Sequence, residues 1–247
     1  KELLLVLGKI KSRESYDQCL ALVERLDQDT TAAPLDFGGL AIVLKDSTAL
    51  LWPHTDQLLR LQKKPAVDEL AYELLYHLVL SDTTEGFAER LQPYQGFYLE
   101  QAQLILEKAK ANTIQDTLTA LESPRLSQLY NLCSLLGELP PQPEVDTFLN
   151  EVLQAGAPFL MPPAIDGLLM HGAPVDSVHF AVLRQYPYYW GNLLHMLDYE
   201  GRLEVIPSSL YSPESMVKAY AYFKFGNDVA PLTGFDWFDE LPFISEG

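Results

Sequence analysis

Cysteine is nearly absent: Cys19 and Cys133 are the only two thiols in 247 residues. Each lies within an apolar periodic segment, so both read as small buried hydrophobes rather than as a disulfide or part of a metal site. That usage predicts free thiols in a reducing, cytoplasmic setting. Long apolar runs are missing as well. The longest uncharged stretch, residues 152–165, has 14 residues and contains three prolines, whereas a membrane-spanning helix needs roughly 20 apolar residues. Lys1–Gly8 holds too short an apolar run for a secretion leader and is followed by Lys9, Lys11 and Arg13, so no leader is expected there.

Basic residues are scarce: 17 Lys and Arg face 34 Asp and Glu, for a formal charge of -17. Such an excess repels phosphate backbones and anionic lipid heads, which sets aside nucleic acid and membrane surfaces as expected partners. Hydrophobic residues at 48% and charged residues at 21% are those of a folded globular chain. At this length a core large enough to need no metal or disulfide is available.

Signatures of catalysis are missing too. There is no Gly-x-Ser-x-Gly elbow, no glycine-rich phosphate loop, and no His-Glu-x-x-His or Glu-x-x-His metal motif. Gly38-Gly39, after Asp36-Phe37, reads as a turn. Among the five histidines, Glu73 and His77 stand four apart and read as an exposed helix pair, and His195 precedes Asp198 by three. His171 precedes Gly172 in the last turn of its helix, where a cation suits the helix dipole. His179 and His195, in the aromatic half, are the two candidates for lining a pocket. No catalytic residue, cofactor or metal site is assigned.

What the chain does have is helical periodicity. Apolar residues recur at three- and four-residue steps, as in Tyr16, Cys19, Leu20, Val23 and Leu26, or Leu70, Leu74, Leu75 and Leu78. Helices are predicted over 14–27, 55–63, 66–80, 83–91, 95–111, 113–121, 124–136, 144–155, 162–171, 176–184, 188–197 and 213–225. Start signals support three of them: Asp82 with Glu85, Ser123-Pro124, and Ser212-Pro213-Glu214. Leu40–Leu44 and Leu203–Ile206 are β-friendly runs, too few for more than a small hairpin.

Composition changes along the chain. Residues 1–125 carry 13 basic and 19 acidic side chains, net -6, and residues 126–247 carry 4 and 15, net -11. The later part also holds 18 of 27 aromatics and 12 of 17 prolines, which predicts an N-terminal helical region 1–125 and an acidic, aromatic-rich helical region 126–247, within one continuous domain or two. Across that boundary runs an internal echo: Leu135-Leu136-Gly-Glu-Leu-Pro, Val152-Leu153-Gln-Ala-Gly-Ala-Pro158 and Leu168-Leu169-Met-His-Gly-Ala-Pro174, at steps of 17 and 16. Each copy reads as a helix end, with Gly156 or Gly172 as the left-handed cap and proline blocking continuation. Two units make a helical hairpin of about 33 residues, and Leu-Leu-x-x-Gly-Ala resembles the end of an ankyrin outer helix. The expected fold is all-α, stacked helical hairpins of HEAT-like or degenerate ankyrin-like type, with a compact helical bundle as the alternative.

Aromatic clusters carry the functional expectation. Tyr186, Tyr188, Tyr189 and Trp190 crowd the start of one helix and cannot all face one core, so some are expected at the surface as interface anchors. The C-terminal stretch 234–247, with Trp237, Phe238, Asp239 and Glu240, has the pattern of either an acidic-aromatic binding peptide or a hydrophobic cap for the array. Acid plus exposed aromatics suits a basic protein partner. The expected function is therefore a non-catalytic interaction module, an immunity or antitoxin-type neutraliser being its specific form. An enzyme or small-ligand binder with a pocket in the C-terminal half is the alternative.

Overall fold

Residues at helical spacing fold as helix wherever they are described. The computed structural model describes residues 2–26, 38–65, 67–81, 86–112, 124–199, 201–207, 210, 216, 217, 219 and 221. In chain order the helices are α1 (Glu2–Ile10), α2 (Arg13–Leu26), α3 (Gly38–Lys45), α4 (Thr48–Leu51), α5 (Thr55–Leu61), α6 (Asp68–Leu80), α7 (Phe87–Leu91), α8 (Gln95–Asn112), α9 (Pro124–Glu138), α10 (Pro143–Gln154), α11 (Met161–Met170), α12 (Ser177–Leu183) and α13 (Pro187–Tyr199). No strand occurs among the described residues. The protein is all-α.

Two compact units divide the chain, residues 1–145 and 146–247. In the first, α1 packs on α3, α3 on α6 and α6 on α9, while α1 pairs with α2, α3 with α4, α5 with α6 and α8 with α9. One arm of each successive hairpin thus contacts an arm of the next, a pattern that an all-α array or bundle of helical hairpins shares. In the second unit α13 packs against both α11 and α12. The division falls later than the change in composition because α9, although past residue 125, packs against α6 and α8 in the first unit.

Helix α6 is the hub of the first unit. Leu70, Ala71, Tyr72, Leu74, Leu75, Leu78 and Val79 are buried, covering most of its circumference, and each large aliphatic contributes roughly 1.5–3 kcal/mol. Buried polar groups come with it. The Tyr98 hydroxyl donates to Gln62 Oε1 at 2.7 Å, and the Tyr72 hydroxyl donates to the Gln62 carbonyl at 3.2 Å. Gln128 Nε2 donates to Asp68 Oδ2 at 2.8 Å, tying α9 to the first residue of α6. Both cysteines are free and buried.

Local sequence explains the turns. Gly156 and Gly172 have φ of +71° and +70°, as the echo predicts, and at Gly172 the two bonds of a Schellman cap close: Gly172 N–H to the Leu169 carbonyl and Ala173 N–H to the Leu168 carbonyl. Gly201 repeats the arrangement, with Arg202 N–H reaching the Leu197 carbonyl and Gly201 N–H that of Asp198. Trp52–His54 and Gln92–Tyr94 are short 3-10 turns carrying Pro53 and Pro93, which interrupt the helical ladder between α4 and α5 and between α7 and α8. Between α1 and α2, Ser12 and Ser15 cap reciprocally, each hydroxyl accepting from the other's N–H at 3.1 Å.

Three expectations are corrected. Leu40–Leu44 lies in α3, because Leu40, Ala41 and Leu44 are all buried at helical rather than alternating spacing. Gly38 and Gly39 form the first turn of that helix rather than a loop. Leu203–Val205 is a 3-10 turn, not a strand. The predicted helix over 113–121, the Asp82–Glu85 capping box, the Ser212-Pro213 start and most of 213–225 lie outside the described residues, as does the whole of 234–247 with Trp237, Phe238, Asp239 and Glu240.

Candidate functional site

The start of α13 gathers the aromatic cluster, and the path of the chain decides which ring goes where. Asp176 begins the approach as the N-cap of α12, its Oδ1 accepting from Val178 N–H at 3.0 Å. Past α12 the chain closes a turn in which Tyr186 N–H reaches the Leu183 carbonyl at 2.9 Å, and Pro187 then opens α13. Trp190, Leu193, Leu194 and Leu197 are all buried, the i, i+3, i+4, i+7 stripe of a core-facing helix. Tyr188 stands two residues before Trp190, about 200° round the helix. It therefore faces outward.

Exposure follows that geometry. Tyr186 and Tyr188 are each 43% exposed, and Val178 is 51% exposed on the adjoining α12. Tyr189 is half-buried, its ring edge-on to Phe159 at 6.1 Å and to Tyr188 at 5.3 Å. Burial, then the neighbouring Tyr188, holds its phenol above the usual tyrosine range. Trp190 is 1% exposed. It is corrected from surface anchor to core residue, since the same periodicity that sends Tyr188 outward sends Trp190 into the stripe.

The described exposed charges on α12, on α13 and in the turn after it are mostly acidic: Asp176, Asp198 and Glu204, against Arg184. His179 and His195 lie on α12 and α13, which pack together, and both are half-buried. Among the described residues no three His, Cys, Asp or Glu side chains group as metal ligands. No described helix is long and apolar enough to cross a membrane.

His171 and His77 have structural surroundings. The His171 side chain is buried, and its Nδ1 pairs with Asp146 Oδ1, joining the end of α11 to the start of α10. Glu73 meets Lys45 Nζ at 3.3 Å. Burial holds His77 below the usual histidine range, countered by a hydrogen bond with the Lys45 backbone.

Sequence reasoning did not single out Val178, an exposed apolar residue on α12, the helix that packs against α13. Its signal is faint: it is the second residue of a seven-residue helix whose buried positions are Phe180 and Leu183. Those positions leave Val178 on the other side. No protein-family model, curated protein or solved structure matches this chain.

Proposed function

We propose that the protein is a non-catalytic interaction module whose C-terminal part binds a basic protein, with Tyr186 and Tyr188 as aromatic anchors. The observation that carries this reading is the exposure of both tyrosines at the start of α13, with exposed Val178 on the adjoining α12, on a stretch whose described exposed charges, Asp176, Arg184 and Asp198, are mostly carboxylates. Tyrosine offers large rigid contact area with a polar rim and few rotamers to lose. Carboxylates around it speed the approach of a cationic partner and favour its Arg and Lys over the rings. Neutralisation of a cationic toxin by an immunity or antitoxin-type protein is the specific form that fits this chemistry.

Binding of small cationic proteins, followed by anisotropy across a salt series, tests it. From about 0.01 M to about 0.15 M salt the screening length falls from roughly 30 to 8 Å, and affinity is expected to fall steeply. Tyr188→Ala and Tyr186→Ala should each weaken binding by about tenfold, above the roughly 1 kcal/mol that most interface residues fall short of when truncated. Binding that is flat with salt and indifferent to both substitutions overturns the reading.

A further inference from the structure

A helix that is apolar all round is ordinarily buried on every side. Helix α1, Glu-Leu-Leu-Leu-Val-Leu-Gly-Lys-Ile, is nearly so in sequence, yet beside its packing against α2 and α3 it leaves Val6 and Ile10 exposed among the described residues. Leu4 and Gly8 are buried, and Gly8 approaches α3 so closely that a Cβ there would lie 2.8 Å from Val43 Cγ1. A Cβ on Gly39 of α3 would in turn lie 3.7 Å from Leu5. Val6 and Ile10 project roughly opposite these contacts at about 100° per residue, and they are 56% and 58% exposed. Lys9, three residues after Val6, shares their face.

Two features say what fits this face. The first is continuity: α3 packs against both α1 and α6, and α6 against both α3 and α9. The Val6–Ile10 face is where the next member of that row would lie. The second is charge. Residues 3–13 hold Lys9, Lys11 and Arg13 and no acid, in a chain of net -17. Lys11 already meets Asp46 at 3.5 Å, while Lys9 and Arg13 are exposed.

We propose that the Val6, Lys9 and Ile10 face of α1 is a docking surface for an amphipathic helix of a partner protein whose apolar stripe is flanked by carboxylates, extending the row α1, α3, α6 by one helix. A two-fold pairing of α1 with itself would set two cation-bearing faces against each other. An anionic bilayer would meet the acidic excess of the rest of the chain. An acidic helix supplies both the missing apolar cover and the missing countercharge.

The test uses the full chain and two labelled synthetic helices, one with a leucine stripe flanked by glutamates and a twin with lysine in place of each glutamate. The acidic helix should bind at least about tenfold more tightly than its twin, and Lys9→Glu should narrow or reverse that preference. Val6→Asp and Ile10→Asp should each weaken acidic-helix binding by about tenfold without changing the melting curve, since both side chains are more than half exposed. Binding of small cationic proteins should be unaffected by all three substitutions, which separates this surface from the tyrosine face. Should an aspartate variant fail to fold, the Lys9→Glu preference decides alone. Equal binding of the two helices overturns the proposal. So does self-association that Val6→Asp abolishes, which assigns the face to a second copy, and so does cosedimentation with phosphatidylserine vesicles that Val6→Asp abolishes.

Discussion

Asp68 shows how a single carboxyl couples packing to pH. Burial raises its pKa from 3.8 to about 6 against the opposing hydrogen bond from Gln128, its own helix's N–H and nearby Arg125. The folded state therefore holds this proton more tightly than the unfolded chain does, and the group's effect on stability is most favourable below the unfolded value and declines as pH rises to about 6. A rise of this size corresponds to at most about 3 kcal/mol, which partial exposure of the carboxylate reduces to on the order of 1 kcal/mol. Asp68→Asn keeps an acceptor for Gln128 and removes the buried charge. It should stabilise the protein by about 1 kcal/mol at pH 7 and hardly at all at pH 4, as urea titrations at the two pH values would show. Tyr98 is the complementary case, because its hydroxyl supplies the donor to buried Gln62 Oε1. Tyr98→Phe strands that acceptor and should cost about 1–3 kcal/mol at any pH below the range where tyrosine ionises, read from the same titrations. Neither role was legible in the sequence, where Gln62-Lys63-Lys64 looks like ordinary surface and Asp68 like a helix-start acid. What buries them is α8 and α9, supplied from far along the chain.

At the scale of elements, two glycines separate two kinds of constraint. Gly172 has φ of +70° and open space around a would-be Cβ, so Gly172→Ala should cost about 1 kcal/mol from backbone strain alone, whatever its neighbours. Gly8 lies inside α1, where alanine would gain roughly 1 kcal/mol of helix propensity, but its Cβ would collide with Val43 Cγ1. Gly8→Ala should therefore destabilise the native chain by about 1 kcal/mol net, overpacking outweighing propensity, and become stabilising in a Val43→Ala background. A double-mutant cycle by thermal melting checks this, and additivity of the two substitutions would sink it. The Gly172 cap was legible because glycine followed by Ala-Pro at a helix end needs only local rules. The α1–α3 contact was not. Leu40–Leu44 misled because a short apolar run suits strand or buried helix equally, and only the tertiary neighbours α1 and α6 choose between them. Trp190 failed for a related reason: adjacent aromatics require that some face outward, but the phase of the α13 stripe decides which, and Leu193, Leu194 and Leu197 fix that phase.

For the whole molecule, the excess of acid acts on stability before it acts on any partner. A net charge of -17 repels itself, and the repulsion is greater in the compact state than in the expanded unfolded chain. Among the described residues, the exposed attractive pairs offset little of it: Lys11 with Asp46, Arg60 with Glu24 and Arg90 with Asp56 span 3.5–3.8 Å with at least one partner well exposed, and pairs of this kind contribute about 0–1 kcal/mol each, so the part-buried Lys45–Glu73 pair at 3.3 Å is the main exception. Screening should therefore remove more repulsion than attraction. Raising sodium chloride from about 0.01 M to about 0.15 M, which shortens the screening length about fourfold, is expected to raise the melting temperature by a few degrees while weakening the binding of a cationic partner. The two responses have opposite signs because salt screens like charges within the fold and unlike charges across the proposed interface. Differential scanning calorimetry on the free chain and anisotropy with a cationic probe, run on the same salt series, would separate them. A melting temperature that falls with salt would mean that paired charges, not the acidic excess, dominate the electrostatics of the folded chain.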